Sequence, residues 1–248
     1  MNHQTLKSHH RFLLLILFQF TFLIGLNAQY AVGSLDLSQN ATRWYDQTAG
    51  KSKLGLFEGV YYVQEQAPVT PNSHLYFEST SWLPGGITFR NQAYEQVFML
   101  YDLLNDVLVV QNESVFPAQP IQLNQSQISR FNWGIKQFVR LEEDQRPPNG
   151  PGFYQLLYEG DSITCLVKRR KIPQIKEAKA EFVEDSRYYV FDGVNFHVYG
   201  SRRTIYKLMP EHKKSLKQYL KTNELKPKPG NDADLILFFK ESDKMIIQ

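Results

Sequence analysis

The chain of 248 residues has a single cysteine, Cys165, so no disulfide can close within it and a packed core must hold it. It has little excess charge: 28 Lys and Arg stand against 25 Asp and Glu, and removing Lys7 and Arg11 with the leader described below leaves 26 against 25. That balance excludes the basic footprint of a nucleic-acid-binding domain. No stretch beyond residue 26 is long and apolar enough to span a bilayer as a helix, which needs about 20 residues. Also missing are a Gly-x-Ser-x-Gly elbow, a Gly-rich phosphate loop, and two histidines at i, i+4 spacing.

What is present begins with an acid-free start carrying His3, Lys7, His9, His10 and Arg11, followed by an apolar run over residues 12–26. The run is too short for an anchor and ends in Leu26-Asn27-Ala28, with small Ala28 at the position a signal peptidase prefers. Residues 1–28 read as a cleavable signal peptide, and the mature chain is expected to start at Gln29. Without a cysteine in the leader, lipid attachment there is excluded.

Residues 54–199 are rich in aromatic and β-branched residues in short runs, the composition of strands. Three hairpins stand out. Residues 187–199 turn at Asp192-Gly193, with Val194, Phe196 and Val198 on one face of the return strand and Asn195, His197 and Tyr199 on the other. Residues 152–171 turn at Gly160-Asp161, and Ile163, Cys165 and Val167 then share an inward face opposite Ser162, Thr164 and Lys168. Residues 94–111 bend at Leu104-Asn105-Asp106 and are apolar on both faces, which places them under cover on both sides. Further strands are predicted at 59–64, 86–90, 121–123 and 131–141. Residues 142–152, with three prolines, form a loop, and 172–186 suit either a surface helix or a long loop.

After Ser201 the pattern changes. Pro210 and Glu211 open a Lys-rich helix with Leu216, Tyr219 and Leu220 on one face. Pro227, Pro229 and Gly230 break it, and Asn231 or Asp232 caps a second helix bearing Leu235, Phe238 and Phe239. The prediction is one domain over 29–248: an antiparallel meander forming a sandwich or barrel-like roll, covered by a C-terminal helical hairpin at about 202–243. A chain ending in helices does not suit an outer-membrane barrel, which closes on a membrane strand.

Several segments together carry a resemblance: Tyr101-Asp102 with Asp106-Val107-Leu108-Val109-Val110, Phe138-Val139-Arg140-Leu141, residues 152–160, residues 166–171, residues 188–193 and the Lys-rich stretch 213–225. In that order the chain resembles a family of uncharacterised secreted proteins common in Bacteroidota. The resemblance implies a periplasmic or outer-membrane-associated protein and carries over no activity or site residue.

Candidate sites are each read against simpler roles. Asp102, Asn105 and Asp106 gather oxygens near one bend, but without the Gly and closing Glu of a calcium loop they read as a turn. His74, His197 and His212 are isolated, and Cys165 belongs to an apolar face, so no zinc site is assigned. Glu65, Glu78 and Asp161 are single acids with no pairing visible in sequence. Lys168-Arg169-Arg170-Lys171 reads as a solvated strand end, with contact to an acidic partner or a lipid head group as the other reading. Asn40-Ala41-Thr42, Asn112-Glu113-Ser114 and Asn124-Gln125-Ser126 match the glycosylation pattern, which is without meaning in a bacterial source. No catalytic, cofactor-binding or metal residue is assigned, and no cofactor. The expectation is a non-catalytic exported module that binds an envelope protein or glycan or serves structurally; a hydrolase of envelope polymers is the alternative.

Overall fold

The computed structural model describes residues 55–63, 69–112 and 115–247, which fall in a compact unit spanning Lys51–Gln248. The predicted leader lies outside the described residues. Among these residues the strands are β1 (Val60–Tyr61), β2 (Leu83–Phe89), β3 (Gln92–Asp102), β4 (Val107–Asn112), β5 (Gln119–Gln122), β6 (Ile128–Trp133), β7 (Lys136–Leu141), β8 (Gly152–Glu159), β9 (Thr164–Lys168), β10 (Lys171–Lys176), β11 (Lys179–Glu184), β12 (Arg187–Phe191) and β13 (Phe196–Val198). Three helices follow: α1 (Arg203–Leu208), α2 (Lys213–Thr222) and α3 (Asp232–Ile247). The mainly β fold with packed C-terminal helices is as the sequence predicts.

Eleven strands form one antiparallel sheet in the order β1-β5-β4-β3-β2-β6-β7-β8-β9-β12-β13, while β10 and β11 pair separately. The sheet curls hard. Tyr101 on β3 and Phe153 on β8 lie four strand steps apart, roughly 19 Å in a flat sheet, yet their ring centroids are 6.0 Å apart. Register shifts in β2 and β8 supply bends of the kind that curl a sheet. The curl carries the β3–β4 end onto the start of β8 and β10: Lys171 N donates to Leu103 O at 3.3 Å, and Phe153 N donates to Asp106 Oδ2 at 3.2 Å.

Inside the curl Phe77, Tyr101, Phe131, Phe138 and Phe153 pack edge to face, with Phe131 and Phe138 stacked at 4.6 Å. Tyr101 belongs to the 94–111 hairpin expected to be covered on both sides, and within that hairpin Met99–Asp102 and Val107–Val110 are buried without alternation. A second cluster joins Cys165, Val167, Tyr188 and Val190 of the sheet to Leu216, Leu220, Leu235, Phe238 and Phe239 of the helices. Leu166 and Tyr189 point to the other face with Tyr154 and Leu141. Alternation on β9 is thus as predicted, and Cys165 is fully buried.

Three local expectations are corrected. Residues 131–141 are not one strand, because Gly134 at φ +58 turns the chain between β6 and β7. Residues 172–186 are neither helix nor loop but the β10–β11 hairpin. Its turn is made by Glu177 and Ala178, both at positive φ, a conformation their side chains do not advertise. The return strand of the 187–199 hairpin keeps its two predicted faces: Val194 and Val198 are exposed and Tyr199 is buried, because β13 is an edge strand and the helices cover the Tyr199 side. The helical hairpin at about 202–243 is three helices: α1 precedes Pro210, and α3 runs on past residue 243.

Candidate functional site

The basic run at the end of β9, which the sequence suggests is a solvated strand end, has Lys168 and Arg169 buried. Successive side chains leave a strand in opposite directions, and here each finds a different partner. Lys168, nearly fully buried, places Nζ 2.6 Å from Asp106 Oδ2 and 4.9 Å from the Tyr154 ring centroid. Tyr101 donates its hydroxyl to the other oxygen of Asp106 at 2.5 Å, and burial followed by that carboxylate pushes the Tyr101 pKa up. Gly152 is required beside this pair: a Cβ there would meet Asp106 Oδ2 at 2.1 Å.

Arg169 donates to Gln155 at 2.7 Å and to Tyr188 at 3.0 Å, and it also holds Asp232 in the first turn of α3. Tyr188 in turn donates to Asp232 at 2.8 Å. Arg170 faces Asp185 at 3.7 Å. Lys171 donates to the carbonyls of His74 and Tyr76 at 2.7 and 2.9 Å, and burial lowers its pKa. Four consecutive cations therefore fasten the β3–β4 turn, α3, the β11–β12 link and the segment before β2 to one strand end. Lys168 and Arg169 are internal struts, since a buried cation without its acid is strongly destabilising, whereas the Arg170 side chain stays half exposed and Lys171 is partly buried.

The other sequence candidates resolve likewise. Asp102 is fully buried; its oxygens accept from Leu104 N, Asn105 N, Asn105 Nδ2 and Tyr62 Oη, the pattern of a turn. Among the described residues, no cluster of three His, Cys, Asp or Glu side chains could hold a metal ion. Burial raises the thiol pKa of Cys165 far above the ordinary value. Asp161 supplies a backbone N–H to Asp243, and Glu78 pairs with Lys136. Glu65 lies outside the described residues. His197 lies 2.6 Å from Asp192, a His–acid pair, but Asp192 also accepts from Val194 N and Asn195 N at the exposed β12–β13 tip. The hydrogen bond from Asn195, then that from His197, holds its pKa down at about 2. His74 is pushed down by burial and by Lys171, and His212 sits 3.6 Å from its neighbour Glu211. The three histidines are not brought together.

What sequence reasoning missed is a groove of about 280 Å³ crossing β2, β3, β6, β7 and β8. Two cross-strand rows build it. Thr88, Arg130 and Val139 are paired in one row; Asn132, Gln137 and Leu156 are paired in the other. Glu95 from β3 and Glu159 from β8 also line the groove. Its middle is shaped by Gly86, whose N–H donates to Asn132 Oδ1; a Cβ there would lie 2.7 Å from that oxygen and 2.9 Å from Glu95 Oε2. The stacked Phe131 and Phe138 alternate with these polar residues on the same two strands and hold the strands in place from the core side. The polar period-2 pattern of β6 was readable; the adjacency of β2 to β6, which completes the groove, was not.

Hydrogen-bonding amides, carboxylates and a guanidinium around a small apolar floor can hold a hydroxylated ligand. Comparison with known protein families, curated proteins and solved structures finds no match for this chain.

Proposed function

We propose that the protein is an exported, envelope-associated binding module whose sheet groove takes an extended hydroxylated ligand, a glycan. The observation that carries this reading is the double row of hydrogen-bonding side chains on a stiff aromatic-backed floor. Sugar hydroxyls both donate and accept, which suits Asn132, Gln137, Glu95 and Arg130 set side by side. Export rests on the leader at 1–28 and is tested by N-terminal sequencing of envelope-fraction protein, expected to start at Gln29. Binding is tested by calorimetric titration of the mature chain with envelope oligosaccharides. Asn132→Ala with Gln137→Ala is expected to weaken the interaction at least tenfold, each lost hydrogen bond contributing about 0.5–1.5 kcal/mol; an unchanged affinity would refute the groove.

A hydrolytic reading is supported by one specific feature: Glu95 and Glu159 line the same groove, and glycoside hydrolysis uses two carboxyl groups flanking the bond. Incubation with the same oligosaccharides and assay of new reducing ends decides it. Release abolished by Glu159→Gln favours hydrolysis; binding without release favours the module.

A further inference from the structure

We infer that the groove between α2 and the segment that follows it is a binding site for a phosphate ester, separate from the sheet groove. Positive charge in this protein is segregated. Residues 201–228 hold nine Lys and Arg against Glu211 and Glu224, a net +7, whereas the whole chain is +3 and the remainder therefore −4. The two basic clusters differ in kind. Lys168, Arg169 and Arg170 each face an acid, and Lys171 is held by two carbonyls. None of the nine Lys and Arg side chains of 201–228 forms an ion pair among the described residues.

Four of these cations converge. Arg202, Lys217, Lys221 and Lys226 line one concavity of about 570 Å³, floored by buried Leu220 and half-buried Leu225. Lys217 and Lys221 are i, i+4 neighbours on one helix face, while Lys213 and Lys214 lie outside the concavity. The rim is set by a Schellman ending: Leu225 N donates to Leu220 O and Glu224 N to Lys221 O, with Glu224 at φ +54 in the position that usually holds glycine. That turn carries Lys226 back toward the helix it has just left. An apolar floor under four unpaired cations suits a group that is anionic at one end and carbon-bearing at the other. Among the described residues the exposed large apolar side chains lie outside 201–228, so the attraction is electrostatic and involves no insertion.

Phosphate esters reach such a site free in solution or as lipid head groups, and two probes separate these. Glycerol 3-phosphate is titrated into the ¹⁵N-labelled mature chain, and flotation is measured with phosphatidylglycerol vesicles against phosphatidylcholine vesicles. The expected result is amide shifts at Lys217, Lys221 and Lys226, or flotation on the anionic vesicles alone, in either case weakening with added salt. Lys217→Gln with Lys221→Gln should weaken binding about 30-fold, as two cations near an anionic surface provide. Lys213→Gln with Lys214→Gln carries the same charge change outside the concavity and should retain binding; circular dichroism confirms that both variants keep their helices. Response to glycerol 3-phosphate assigns the site to soluble esters, and response to the vesicles alone assigns it to head groups. Silence with both probes overturns the inference, as does an equal loss in the two double variants.

Discussion

Asp243 shows how a single side chain ties distant parts of the chain together. Near the end of α3, nearly fully buried, it accepts N–H bonds from Asp161, Ser162 and Ile163 and a hydroxyl from Tyr158, at 2.9–3.2 Å. Burial, then this carboxylate, pushes the Tyr158 pKa up to about 12. Gly160 leaves the room: a Cβ there would lie 2.3 Å from Asp243 Oδ2. Each buried donor left unsatisfied costs about 1–3 kcal/mol, so Asp243→Ala is expected to lower stability by about 3 kcal/mol or more in urea denaturation. Asp243→Asn, which keeps an acceptor oxygen, should cost less. A fall of under 1 kcal/mol for the alanine variant would show that the tip stands on its own.

Asp192 supplies a pH prediction at the same scale. Its folded pKa of about 2 lies below the unfolded value near 3.9. A depressed carboxyl stabilises the fold above the unfolded value, and that contribution is lost as pH falls through about 4 to 2. The acid unfolding limb of Asp192→Asn should therefore be flatter across that window than that of the parent, and carboxyl NMR should give a midpoint near 2. His74 has the opposite chemistry and the same direction: its lowered pKa means that acidification below about 6.5 favours the unfolded chain.

Among the elements, the helices illustrate why amphipathic patterns call for a partner surface. Leu216, Leu220, Leu235, Phe238 and Phe239 are buried against β9 and β12. Burying each side chain contributes roughly 1.5–3 kcal/mol against a typical total of about 5–15 kcal/mol. Truncation after Ser201 should therefore leave an insoluble or strongly destabilised chain, whereas a soluble fragment with an unchanged melting temperature would mark residues 202–248 as a separate tail. The end of α2 allows a gain. Glu224 occupies a left-handed position that costs a non-glycine residue about 1–2 kcal/mol, so Glu224→Gly is expected to raise the melting temperature. Because Glu224 also lines the cationic concavity, the same change should tighten phosphate-ester binding.

At the scale of the whole molecule, two cores share one sheet. The aromatic cluster within the curl and the helix-covered cluster meet at β8, β9 and the struts from Lys168 and Arg169. Removing a strut should affect both. Lys168→Met leaves the partly buried Asp106 without its cation, at an expected cost of about 3 kcal/mol. Tryptophan fluorescence, to which Trp82 and Trp133 of the first cluster contribute, and far-ultraviolet dichroism, which reports the helices, should shift together. A transition that splits between the two probes would show that the cores unfold independently.

Periodicity in the sequence indicated many of the strands, the inward face of Cys165 and the apolar stripes of α2 and α3, because burial selects side chains at spacings of two and of three to four, and turn residues marked the bend at 104–106. Composition gives the count of charges, but not their use. Whether Lys168-Arg169-Arg170-Lys171 faces water or three acids and two carbonyls depends on the curl of the sheet, which brings Asp106, Asp185, Asp232, His74 and Tyr76 to one strand end from far along the chain. The sheet groove was hidden for the same reason: β2 lies beside β6, and strand order is set by how non-adjacent segments close the core, which local pattern does not encode. The β10–β11 turn at Glu177-Ala178 was hidden at the smallest scale, since pairing of the flanking strands imposes a positive φ that neither residue prefers. Composition decided what the chain buries; the tertiary fold decided which polar groups meet.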